Sequence, residues 1–219
     1  RSYEEARKTE EAAARITGLI AMPCAIGLAV LAEPVTALLG QYAGEKLTLA
    51  ARLTRILAFA IVPNSAVLVT TAILQAHGHV SRPVLNLLFG GLLKLAAVHV
   101  LTGNPAIGIL GTPIGTLLCY TVIGILNLIS IRQLLPAPPA LVRNLLRAFL
   151  PSCLMGAGSA CIRQLLVRIG ADSRLLLCAL PVAAGVVLYF VCAVRLQAIT
   201  RKDCLLLPKG EKIARLLHL

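Results

Sequence analysis

Six apolar runs, each long enough to cross a bilayer as an α-helix, divide this sequence and leave few folds open to it. They cover about 16–39 (A), 47–76 (B), 83–101 (C), 107–131 (D), 145–169 (E) and 175–196 (F). At 1.5 Å per residue, about 20 residues in a helix span the roughly 30 Å hydrocarbon core of a membrane. Lipid offers backbone groups no hydrogen-bond partner, so such runs must close their own bonds as helices. The pattern specifies an all-α, polytopic transmembrane helical bundle of about six spans. Composition agrees: 58% of the 219 residues are hydrophobic and 14% are charged, against about 25% charged in a soluble domain.

Charge then sorts the segments between the runs. The nine acidic residues all lie at or near run ends, so the net charge of +12 belongs to loops and tails. In a soluble chain that excess would suggest nucleic acid. Here it fits the anionic leaflet, so membrane lipids are the expected partner and nucleic acid is not. With the N-terminus in the cytoplasm, fourteen Lys and Arg fall on the inner side, six fall outside, and Lys94 is left within the membrane. Six spans return the C-terminus to the inner side. The expectation is a multi-pass protein of the cell membrane with both termini cytoplasmic.

Four regions follow in order. Residues 1–15 form a charged cytoplasmic helix, with Glu4–Lys8 and Glu11–Arg15 as acid-before-base pairs one turn apart. Residues 16–135 hold spans A to D, and 136–200 hold two additional spans, E and F. In the tail 201–219, Lys209, Lys212 and Arg215 interleave with Ile213, Leu216 and Leu217, as in a basic amphipathic helix lying on the inner leaflet. Arg1 stands where an initiator Met would, and no signal-peptide pattern precedes run A, so a fragment of a longer protein is expected.

Runs B and C flank a tight polar elbow, His77-Gly78-His79-Val80-Ser81-Arg82-Pro83. Gly78 punctuates the turn, and Pro83 suits the first turn of the next helix. About a dozen residues further on is Lys94, in the middle of an apolar run. A lysine there costs roughly 2.5 kcal/mol or more, so it needs water or a partner. Asn86, Gly90 and Lys94 share one stripe of helix C; Asn64, Thr71 and Gln75 share one stripe of helix B. Joined by a short elbow, B and C should be neighbours, and these substrate-cavity candidates would then line one aqueous cleft. The Asn, Thr and Gln groups equally well hydrogen-bond each other across a helix interface. His99 lies off the Lys94 face. His77 and His79 read as elbow polarity, without the acid or Cys companions a metal site requires.

Pro23, Pro34 and Pro63 fall inside runs, where each frees a carbonyl and bends the helix; they are hinge candidates as well as shape elements. Gly108, Gly111, Gly115 and Cys119 recur at helical spacing in run D, a small-residue face for close helix packing. The seven cysteines show no CxxC pairing and read as packing residues. No Ser-His, Ser-Lys, HExxH or Walker arrangement is present, so neither an enzyme nor a cofactor is indicated.

Several stretches together carry a resemblance: MPCAIGLAVLAEPV in run A, AILQAHGHVSRPVLNLLFGGLLK from B into C, NPAIGILGTPIGTLLCY opening D, and LPKGEKIARLL in the tail. The chain resembles the C-terminal part of the polysaccharide-biosynthesis and lipid-flippase proteins of the MOP superfamily. It is most similar to their stage V sporulation protein B branch, which is related to the lipid II flippases. The resemblance implies a fourteen-helix, two-lobed MOP/MATE-like transporter of which runs A to F are the second lobe. Its substrate would be an undecaprenyl-pyrophosphate-linked sugar, moved by alternating access. The N-terminal lobe, with its basic residues for the pyrophosphate, is missing here and would be a required partner. A drug/cation antiporter of the same superfamily is the alternative, with Glu33 as the one candidate coupling acid. A non-transporting membrane scaffold is the third.

Overall fold

The computed structural model describes residues 2–170 and 173–198; the tail segment 201–219 lies outside the described residues. Among the described residues eight α-helices appear in order: α1 (Ser2–Val30), α2 (Ala32–Gly40), α3 (Gly44–Ala76), α4 (Ser81–Gly103), α5 (Gly111–Leu134), α6 (Leu141–Leu145), α7 (Phe149–Arg168) and α8 (Arg174–Arg195). There is no strand among the described residues. Among the described residues six helical segments are long and apolar enough to cross a membrane, so the chain is an all-α, multi-pass membrane protein by length and composition.

Three run boundaries differ from those expected. The charged start and the first part of run A form a single 29-residue helix, about 43 Å long, so its first turns project beyond the hydrocarbon. Run A then breaks at Leu31 (φ −98°, ψ 18°). Pro34 has no N–H to return to Val30 and its ring crowds that carbonyl, and here, unlike at Pro23 and Pro63, the helix is interrupted. Pro34 sits instead in the first turn of α2, where proline is tolerated. Arg55 Nε donates to Ala29 O at 3.2 Å beside the break. Run E is also divided, with α6 and a 3-10 turn (Leu146–Ala148) preceding α7. Run D becomes regular α-helix only at Gly111, after a 3-10 turn over Gly108–Leu110.

The elbow forms as expected. Gly78 takes φ +80°, and His79 N–H reaches back to Leu74 O at 2.9 Å. This left-handed cap closes α3 at a position that favours glycine.

Beyond the elbow the packing departs from a simple hairpin. Helices α3 and α4 barely touch; α5 fills the space between them and packs along both. The helices lie in the order α4, α5, α3, α1, α7, α8 by contact. The expectation that B and C are neighbours is therefore corrected: they splay from the elbow, and α5 is the wedge. Small residues on α5 permit this. A Cβ placed on Gly124 would stand 3.8 Å from Val67 and 4.0 Å from Pro63 O of α3, while Gly111 and Gly115 meet α4. Buried Ile73 and Leu74 of α3 join Ile131 and Leu135 near the elbow, with Ala14 of α1 and Leu141 of α6.

Polar ties at the helix ends divide the turns into two groups. At one end His77 Nε2 and Glu10 Oε1 are 2.6 Å apart, Ala140 N–H donates to Glu11 at 3.2 Å, and Arg147 donates to Gln197 O at 2.9 Å. At the other end Arg163 donates to Glu33 at 2.6 Å. The amino-terminal turns, the elbow, the α5–α6 turn and the chain after α8 thus share one end, as six crossings require. His77, read from sequence as elbow polarity, has a carboxylate partner 67 residues away.

Candidate functional site: a polar seam in the helix wedge

Asn127, on α5, is fully buried and joins three helices. Its Nδ2 donates to Thr70 Oγ1 at 3.0 Å and to Thr71 Oγ1 at 3.1 Å on α3. Its Oδ1 accepts from Asn86 Nδ2 of α4 at 2.8 Å, and the same Asn86 amide reaches Ser130 Oγ at 3.3 Å. The hydroxyls end the chain on backbone carbonyls: Thr70 donates to Ala66 O at 2.7 Å and Ser130 to Leu126 O at 2.9 Å. An amide buried in an apolar bundle is costly unless its groups are bonded. Here each side-chain amide finds a partner on a neighbouring helix.

This geometry decides the roles of two candidates. Asn86 and Thr71 are committed to an interhelical network, the second of the two readings left open by the sequence. Asn64 is half-buried and Gln75 exposed, and neither side chain has a hydrogen-bond partner among the described residues. The α3 stripe is therefore not one unit.

The α4 stripe runs along α5 rather than across to α3. A Cβ on Gly90 would collide with the Ile123 side chain, and one on Gly115 would stand 3.6 Å from Lys94 O and 2.6 Å from Val98 Cγ2. Lys94 is at the margin of this contact. It is half-buried, and its ammonium has no hydrogen-bond or ion-pair partner among the described residues.

The small-residue face of run D holds in part. Gly111 and Gly115 touch α4, and Cys119 is buried beside Val67 and Ile123. Gly108 does not join them: it precedes the helix, has open space around it and takes φ +53°. Its glycine serves the turn, because a side chain is strained there.

The proline candidates sit in different settings. Pro34 marks the α1–α2 break, whereas Pro23 and Pro63 lie inside continuous helices. Pro23 cannot bond the carbonyl four residues back, Leu19 O. The Tyr189 hydroxyl of α8 donates to that oxygen at 2.6 Å, so the gap left by one helix is filled by another. An apolar groove of about 440 Å³ opens beside this bond, lined by residues of α1, α2, α7 and α8 including Pro23, Gly27, Met155 and Phe190.

Sequence reasoning passes over Asn127 and Tyr189. For Asn127 a signal exists, since an amide in mid-run carries the same meaning as Asn86. For Tyr189 there is none, because nothing local links it to Leu19. Among the described residues no three His, Cys, Asp or Glu groups gather to hold a metal ion.

Fold and site together define a multi-pass helical membrane protein with a buried polar seam across three of its helices. No family model, curated protein or solved structure matches the chain.

Proposed function

We propose that the chain is the second lobe of a membrane flippase that moves undecaprenyl-pyrophosphate-linked sugars across a bacterial inner membrane by alternating access. Both termini are cytoplasmic in this proposal, and a first lobe completes the path. The observation that carries it is Lys94: a cation in mid-span, half-buried and without a protein partner among the described residues. A charge held at that cost serves an ion or substrate path more often than it serves packing. A pyrophosphate is the chemistry that an unpaired ammonium would meet on the way through. The antiporter alternative needs a free intramembrane acid. Glu33 is instead at a helix start and bound to Arg163 at 2.6 Å, an arrangement suited to anchoring α2 on α7.

Proteoliposomes test this proposal. The chain joined to the first lobe of a flippase should translocate a labelled undecaprenyl-pyrophosphate disaccharide, while the chain alone should insert and carry none. Cation-driven drug efflux by the joined protein, with no movement of the lipid, would favour the antiporter. Neither activity would leave the scaffold.

A further inference from the structure

Three arginines meet where α5 ends and α7 begins, and the transport proposal uses none of them. Arg132 is in the last turn of α5. Arg143 is on α6, and Arg147 is in the 3-10 turn after it. Arg143 lines two adjoining cavities, one of about 560 Å³ with Arg147 and Asn144, the other of about 410 Å³ with Arg132. Both are within the size range of small-ligand sites. Charge in this region is one-sided. The carboxylate at the rim, Glu11, is already engaged by Arg7 at 3.5 Å and by the Ala140 N–H at 3.2 Å. Arg147 spends one N–H on Gln197 O, and Arg132 and Arg143 have no hydrogen-bond or ion-pair partner among the described residues.

The same segment carries an exposed apolar face. Val142, Leu146 and Phe149 are 46%, 47% and 52% exposed, and they follow one another at helical spacings of four and three. Arg143 and Arg147 each lie one residue on from an apolar member, along the edge of that face. A short segment at a helix-bundle end, apolar on one side and rimmed by arginine, suits the level of lipid head groups. Guanidinium forks match phosphate oxygens two at a time.

We propose that the paired cavities around Arg143 hold the phosphodiester head group of an anionic phospholipid, whose acyl chains lie against Val142, Leu146 and Phe149. This site is independent of transport: it fixes the α5–α7 connection to the membrane surface whatever the chain carries.

Native mass spectrometry of the purified 219-residue chain in detergent provides the test, with dioleoyl phosphatidylglycerol, dioleoyl phosphatidylcholine and inorganic phosphate as probes. Phosphatidylglycerol should bind about tenfold more tightly than phosphatidylcholine, as a few basic groups near an anionic head group allow. The Arg132→Gln/Arg143→Gln/Arg147→Gln variant should lose that preference, and Arg143→Gln alone, a single exposed change, should lose part of it. A control at the other end of the bundle, Arg52→Gln/Arg168→Gln/Arg174→Gln, should keep it. Equal loss in the control would reduce the effect to general surface charge and overturn the site. So would a preference that survives Arg143→Gln undiminished, or displacement of the lipid by inorganic phosphate at equal concentration.

Discussion

Replacing Asn127 with Leu should destabilise the bundle by about 2–3 kcal/mol, more than loss of any other member of the seam. Among the described residues Asn127 alone bonds to both outer helices of the wedge, through Thr70 and Thr71 on α3 and Asn86 on α4. Its removal deprives the Asn86 amide of its 2.8 Å acceptor and leaves only the longer bond to Ser130. The Thr70 hydroxyl keeps its bond to Ala66 O and loses less. Individual hydrogen bonds in membranes average well under 1 kcal/mol, so the size expected here rests on several being lost together in a fully buried place. A double-mutant cycle with Asn86→Leu separates this from a packing effect. Once Asn86 is gone, Asn127→Leu should cost clearly less, because the shared bond is counted only once. Strict additivity in reversible unfolding from mixed micelles would mean that the seam does not couple α4 to α5.

Gly111→Ala should be the most damaging methyl insertion on the α4–α5 contact, at about 1–3 kcal/mol. The new Cβ would lie 2.7 Å from Leu101 Cβ, 2.8 Å from Thr102 N and 2.9 Å from Leu101 C. Two of those atoms are backbone, so no rotamer change relieves the contact, and the last turn of α4 must move off α5. At Gly115 the close neighbour is a side-chain methyl of Val98, so Gly115→Ala should cost less. Gly108→Ala tests a different term. It meets no neighbour but takes φ +53°, worth roughly 1–2 kcal/mol of left-handed strain. Unfolding midpoints of the three variants in one detergent check the order. A neutral Gly111→Ala would mean that the two helices do not approach as closely as described.

These two sites show what the sequence makes legible. Six spans follow from run length and lipid chemistry alone, and the Gly78 cap follows from one residue type at one turn. The pairing of helices does not follow, because in lipid every apolar face is acceptable on every side. Only small residues and amides distinguish neighbours. Gly111, Gly115, Gly124 and Asn127 all lie on run D, and together they mark it as the helix that packs on two sides. The elbow points the other way, suggesting that α3 pairs with α4, and local connectivity loses to packing. The break at Pro34 was not legible, since Pro23 and Pro63 lack the same N–H and lie inside continuous helices. Nor were the Tyr189–Leu19 and Glu10–His77 bonds, since they join residues 170 and 67 positions apart. Lys94 stands out in both: in sequence it is a cation in mid-run, and in structure its ammonium has no partner among the described residues.

Flux of labelled undecaprenyl-pyrophosphate disaccharide through Lys94→Met, joined to the first lobe and compared with the unaltered protein at matched abundance, tests the central claim most directly. Methionine keeps the length and apolar stem of lysine and removes a costly charge, so insertion and stability should be unchanged or improved. Transport should nevertheless fall about tenfold or more, the worth of one charge contact of 1.4 kcal/mol. Lys94→Arg should retain part of the activity, and Lys94→Glu none, because a carboxylate repels the pyrophosphate. Undiminished flux through Lys94→Met would contradict the account and leave Lys94 as a tolerated cation at the edge of the α4–α5 contact.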